Sequence, residues 1–207
     1  MKIELKSIHH SETLSEETNA FTAKVYIDGK FAAYARNDGR GEETNIQPKD
    51  HMDWDLIKQA EQYCKTLPPG TYEFGGEQHA YSMTLESVVD DLLEQHLSKK
   101  HQQKFDRKLA KAMESGIVFG TLEANSLSVI GFKMPIATLL TYPHGSDTIK
   151  QAIERNITGQ FKEGEKILNT NIPEKILREA GLMENQYTHL KAPVLRQAKE
   201  RGRKRKL

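Results

Sequence analysis

Three groups of residues have types and spacings suited to chemistry. The first is a basic run at the C-terminus: Arg196, Lys199, Arg201, Arg203, Lys204, Arg205 and Lys206. Guanidinium and ammonium groups at this density hold phosphates by releasing counterions, which makes binding salt-dependent and largely blind to sequence. Arg196, Lys199, Arg203 and Lys206 recur at three and four residues and would form one stripe on a helix. Upstream, Lys99, Lys100, Lys104, Arg107 and Lys108 form a second basic set in a helix-compatible stretch. The C-terminal run contains no aromatic residue, so it offers phosphate contact without base stacking. A solvated terminus, or docking on an acidic protein surface, would account for the same composition.

The second group is the loop Asn37, Asp38, Gly39, Arg40, Gly41 and Glu42. Glycines let backbone amides approach a phosphate. However, no GxxxxGK[ST] motif is present, and Glu42 and Glu43 would repel an anion. Asp38 and Glu42 could hold a cation or exchange protons. Plain turn geometry explains the glycines equally well. The third group is His9 and His10, with Glu12, Glu16 and Glu17 nearby. His9, His10, Asp38 and Glu42 together make up the candidate metal set, on which a metal-dependent hydrolase or nuclease would be built. His96 and His101 are five residues apart and do not make an HExxH pair. No GxSxG or Cys–His signature occurs, and no catalytic residue is assigned. The single cysteine, Cys64, falls on the apolar face of an expected helix and reads as a small hydrophobe. No cofactor is implied.

The elements that must position these groups follow from periodicity. Residues 2–8 alternate as a half-buried strand. Residues 20–36 read as a hairpin around Asp28 and Gly29. Placing Phe21, Ala23, Val25 and Ile27 on the same face as Phe31, Ala33 and Ala35 requires Val25 opposite Ala33. That register suggests a three-residue loop, Asp28-Gly29-Lys30. Residues 37–50 are a polar loop. A helix is expected over 52–66 with Asp53 as its cap, and Pro68, Pro69 and Gly70 end it. Residues 71–75 suit a short strand. Thr84 caps a helix over 85–97 with a stripe of Leu85, Val88, Val89, Leu92, Leu93 and Leu97. A polar, helix-compatible stretch over 98–111, a link or the first helix of a second unit, precedes a hairpin of 117–119 with 127–132. Residues 135–145 fit helix or strand. A helix over 147–157, a short strand at 166–168 and a helix opened by Pro173 complete the pattern.

Charge is divided unevenly along the chain. The net formal charge is +1, yet residues 1–95 carry 18 acidic and 9 basic groups while the remainder carries 11 acidic and 21 basic groups. Such asymmetry points to a polyanion partner, or to two surfaces of opposite sign. The acidic half argues against uniform coating by nucleic acid. No apolar run is long enough for a membrane helix, and the first residues lack the apolar core of a signal peptide.

The stretch KIELKSI, the Ser-Glu-Glu-Thr turn at 15–18, the Asp-Gly-Lys hairpin at 28–30 and the Asn-Asp-Gly loop at 37–39 resemble the start of small uncharacterised proteins of tailed phages and prophages. In those proteins the loop usually reads Asn-Asp-Gly-His-Gly-Gly; Arg40 and Glu42 stand here where they have histidine and the last glycine. The resemblance covers about the first fifth of the chain. It implies a phage-encoded accessory protein acting in the host bacterial cytoplasm, against host defence or in host takeover.

The resulting expectation is an α+β fold. An antiparallel sheet with an N-terminal hairpin packs on helices over 1–97, a smaller α+β unit follows over 98–183, and a basic tail covers 184–207. Two functions stand side by side. One is a non-enzymatic protein that binds DNA or RNA through the basic C-terminal half. The other is an inhibitor or adaptor that binds a host or phage protein through the acidic N-terminal half. No membrane partner is expected, and the sequence sets no oligomeric state.

Overall fold

The computed structural model describes residues 1–121 and 126–189. The chain divides into two compact units, Met1–Gln103 and Lys104–Leu207. The architecture is α+β, with antiparallel sheets and helices following the N-terminal hairpin.

In the first unit, β1 (Ile3–Ser11), β2 (Ala20–Ile27), β3 (Lys30–Asn37) and β4 (Asn45–Pro48) form an antiparallel sheet in sequence order. Helix α1 (Trp54–Cys64) and the start of α2 (Leu85–Ser115) pack on one face. Phe21, Ala23, Val25, Ile27, Ala33 and Ala35 meet Ile57, Ala60 and Cys64 of α1 and Leu85, Val89, Leu93 and Leu97 of α2. Three alanines on the sheet let the helices approach closely. The four α2 residues recur at every fourth position, giving one narrow buried stripe. A second hairpin, β5 (Gly70–Phe74) with β6 (Glu77–Tyr81), stands as its own two-stranded sheet.

The β2–β3 hairpin corrects one expectation. Val25 does pair with Ala33, but the turn has two residues, because Ile27 pairs with Lys30. Asp28 (φ 48°) and Gly29 (φ 83°) both adopt the left-handed conformation of a type I′ turn. The offset is absorbed by a bulge between Val25 and Tyr26, where Ala32 is the extra residue. Phe31 therefore pairs with Tyr26 and lies on the opposite face from Ala33 and Ala35, not with them.

Several boundaries also differ. Strand β1 continues beyond residue 8 through a bulge at Ser7 (φ 51°). The polar loop after Asn37 contains β4. The helix begun at Leu85 runs unbroken to Ser115, since nothing in the polar 98–111 stretch breaks it. Its cap is as expected: the Ser87 amide donates to Thr84 Oγ1 (3.1 Å) and the Thr84 amide to Ser87 Oγ (2.8 Å). Asp53 stands at the start of α1 without capping it. Its carboxylate is buried and accepts from Lys30 Nζ at 2.6 Å. Cys64 is fully buried, and that burial, with Glu86 and Glu61 nearby, pushes its thiol pKa up.

In the second unit β7 (Gly116–Thr121) lies between β8 (Ser126–Gly131) and β9 (Lys166–Ile167). Helices α3 (Ile136–Leu139), α4 (Gly145–Asn156) and α5 (Glu174–Glu179) complete it around an isoleucine-rich core that includes Ile117, Ile149, Ile153 and Ile167. Asn169 is fully buried. Its Oδ1 accepts the Val118 amide (2.6 Å) and its Nδ2 donates to the Gly116 carbonyl (2.9 Å), tying the chain after β9 to β7.

Candidate nucleic-acid interface

The outer face of the N-terminal sheet carries the residues that alternate with its core. Pairing places Lys6, Lys24, Tyr34 and Gln47 in one row across the four strands. His9, Thr22, Arg36 and Asn45 form a second row, and Tyr26 stands opposite Phe31. Because the bulge at Ala32 reverses the parity of β3, three aromatic rings meet here. Tyr26 and Phe31 are stacked with centroids 5.5 Å apart, and Tyr34 meets Phe31 edge-on at 5.0 Å. Tyr34 is 49% exposed.

Cations lie over the faces of two of the rings. Lys6 Nζ is 4.1 Å from the Tyr26 centroid, and Lys24 and Lys49 are 5.3 and 5.6 Å from that of Phe31. Away from the hairpin turn the sign reverses. Arg36 Nε donates to Asp38 Oδ1 at 2.7 Å, and Glu42 and Glu43 join Tyr34, Asn45 and Gln47 around a cleft of about 490 Å³.

The loop after β3 is held by Asn37, which is 7% exposed. Its Oδ1 accepts the Gly39 amide (2.7 Å) and the Thr18 hydroxyl (2.9 Å); its Nδ2 donates to the Glu42 carbonyl (2.8 Å) and to Thr44 Oγ1 (3.4 Å). The Gly39 carbonyl accepts from the amides of Glu16 (3.0 Å), Glu17 (2.9 Å) and Thr18 (3.4 Å). Gly39 has φ +87°, and a Cβ there would run into the Leu14 carbonyl. The Arg40 amide donates to Glu42 Oε2 and the Gly41 amide to Thr18 Oγ1, both at 3.3 Å. The glycine-loop amides that a phosphate would need are thus spent within the protein.

Thr44 carries the chain of bonds onward, donating to Asp90 Oδ1 at 2.6 Å. Desolvation of this carboxyl raises its pKa; the Thr44 hydrogen bond opposes the rise, and Asp91 and Glu86 add to it.

The four candidate metal residues are not brought together as a site. His10 Nε2 lies 3.2 Å from Asn19 Oδ1 and 3.3 Å from Ser15 Oγ, within the 11–20 turn. Asp38 is paired with Arg36, and Glu42 closes its own loop. Among the described residues no three His, Cys, Asp or Glu side chains are grouped as a metal site.

Lys99, Lys100, Lys104, Arg107 and Lys108 are exposed on α2. In the second unit Lys104, Arg107, Lys108 and the also exposed Lys111 recur at helical spacing as one stripe. Arg196, Lys199, Arg201, Arg203, Lys204, Arg205 and Lys206 lie outside the described residues. The aromatic face is not legible in the sequence. Its one signal was the alternation of Thr22, Lys24 and Tyr26, and the bulge concealed the contribution of Phe31. Among the described residues no helix is long and apolar enough to cross a membrane.

Compared with protein-family models, with curated proteins and with solved structures, the chain matches none of them.

Proposed function

We propose that this is a non-enzymatic accessory protein of phage type that binds single-stranded nucleic acid on the outer face of its N-terminal sheet. The observation that carries the reading is the Tyr26, Phe31 and Tyr34 cluster bordered by Lys6, Lys24 and Lys49. Aromatic rings on an open sheet stack bases, and each stacked base contributes about 1–3 kcal/mol. Flanking lysines neutralise the phosphates between them. The acidic balance of the N-terminal half does not oppose this. Glu4 on the same face is paired with Lys2 (2.9 Å), and Asp38, Glu42 and Glu43 gather at the end away from the lysines. The exposed basic residues of α2, and the basic residues within 196–206, supply further, sequence-blind phosphate contacts.

Fluorescence anisotropy tests the reading. The full chain is titrated with a labelled single strand and with a duplex of the same sequence, each at two salt concentrations. A chain ending at Leu195 measures the share of the tail. Binding that favours the single strand, weakens with salt and survives truncation in part is expected. Preference for the duplex, or complete loss on truncation, would move the contact away from the sheet.

One observation favours a second reading, docking of a host or phage protein. The β5–β6 hairpin exposes Tyr72 (53%) and Phe74 (75%) beside Glu73 and Glu77. Aromatic side chains at such positions are typical anchors of protein interfaces. Under this reading, changing Tyr72 and Phe74 to Ser abolishes capture of a specific protein from infected-cell extract and leaves nucleic-acid affinity unchanged.

A further inference from the structure

We infer that the cleft beside Tyr34 selects a base with an amino group at pyrimidine position 4 or purine position 6, cytosine or adenine, over uracil or thymine. The inference rests on the single-strand reading above and adds a specificity to it. Tyr34 is paired directly with Gln47 on the edge strand β4, and Arg36 with Asn45. Side chains so paired have Cβ atoms roughly 5 Å apart. A base lying on the Tyr34 ring therefore presents its edge to the Gln47 amide, with Asn45 one row on. Both amides are exposed and make no hydrogen bond with other described residues. They are free to pair with a base edge.

The remaining lining decides which edge is favoured. Glu42 and Glu43 border the same cleft and can only accept hydrogen bonds. The cation that would suit a guanine edge, Arg36, is already engaged by Asp38 at 2.7 Å. Amide side chains pair with the N6 and N7 edge of adenine, and carboxylates accept from the N4 amino group of cytosine. Uracil and thymine turn an O4 acceptor to the same place, opposite carboxylate oxygens. The carboxylates also exclude phosphate, so the backbone is confined to the Lys6, Lys24 and Lys49 end while one base enters the cleft. At about 490 Å³ the cleft lies within the roughly 300–1,000 Å³ range of small-ligand sites.

Cytosine and uracil are pyrimidines of the same size that differ only on the Watson–Crick edge, in the group at position 4 and the proton on N3, so oligo-C and oligo-U RNA of equal length are the probes. Each is titrated into the full chain and into a Glu42→Gln/Glu43→Gln double variant, whose amides can donate to O4 as well as accept from N4–H, with thermal unfolding recorded for both proteins. Oligo-C is expected to bind about tenfold more tightly than oligo-U, in line with one good base-edge contact. In the double variant the preference is expected to fall below about threefold, with oligo-U bound at least as tightly as by the native chain and the unfolding midpoint unchanged. Equal affinity of the native chain for both oligomers would overturn the selectivity and leave the stacking platform standing. So would a preference that persists in a folded double variant. Failure of either oligomer to bind at low salt would remove the platform and the selectivity together.

Discussion

On the inner face of the N-terminal sheet, Phe21, Ala23, Val25, Ile27, Ala33 and Ala35 lie against α1 and α2. On the outer face, the residues between them are Thr22, Lys24, Tyr26, Tyr34 and Arg36, joined by Phe31 through the bulge. The same strands thus place alanines, Val25, Ile27 and a single ring, Phe21, where the helices press, and three rings, Tyr26, Phe31 and Tyr34, on the other face. Burial therefore stabilises mainly through the inner face, and under the proposed reading the aromatic and cationic groups of the outer face take up the strand. Substitutions on the two faces should separate cleanly.

The largest effect is expected inside. Leu93 is 1% exposed and central to the sheet–helix core. Leu93→Ala should cost about 2–5 kcal/mol in urea unfolding, whereas Lys24→Ala on the outer face should stay within about 0.5 kcal/mol. A comparable loss from both would erase the distinction between the faces. Next comes the asparagine that joins the sheet to its loop. Asn37→Ala leaves the Gly39 amide and the Thr18 hydroxyl without their acceptor. A cost of about 1–3 kcal/mol is expected, with faster amide exchange at Gly39.

On the outer face, Tyr34→Ala should weaken single-strand binding by about 1–3 kcal/mol, while losing the edge-on contact with Phe31 should cost no more than about 0.5–1.5 kcal/mol of stability. The smallest effect concerns Asp90. Its pKa is raised in the folded state, chiefly by desolvation, so the folded chain holds this proton more tightly than the unfolded chain. Stability from this group is therefore present at low pH and lost as pH rises from the ordinary aspartate range through the raised value. Asp90→Asn should be more stable than the native chain at neutral pH, with the difference shrinking on acidification. A difference that grows instead would reverse the sign assigned to its environment.

The elements on the inner face were legible in the sequence because burial imposes a period. The α1 stripe, the Leu85–Leu97 stripe, the Thr84 cap and the Val25–Ala33 register could all be read from side-chain type and spacing. The outer face was not, because parity is fixed by turn and bulge together. A two-residue turn with a bulge and a three-residue turn without one give the same Val25–Ala33 pair yet place Phe31 on opposite faces. Strand β4 was hidden for a related reason: Asn45 to Pro48 is an edge strand with little apolar content, held by pairing with Ala33 to Arg36. The Asn37 loop announced itself by its glycines, but its chemistry did not. Only the bonds to Thr18, Gly39, Glu42 and Thr44 show that its polar groups serve the fold.

The most direct test of single-strand binding on the outer sheet face is ultraviolet crosslinking of the full chain to a short labelled strand, with the modified peptides located by mass spectrometry. Crosslinks concentrated at Tyr26, Phe31 and Tyr34, and lost with Tyr34→Ala, are the result expected. Crosslinks confined to the 99–111 stretch of α2 or to the 196–207 tail, with the Tyr26–Tyr34 peptide unmodified, would contradict it.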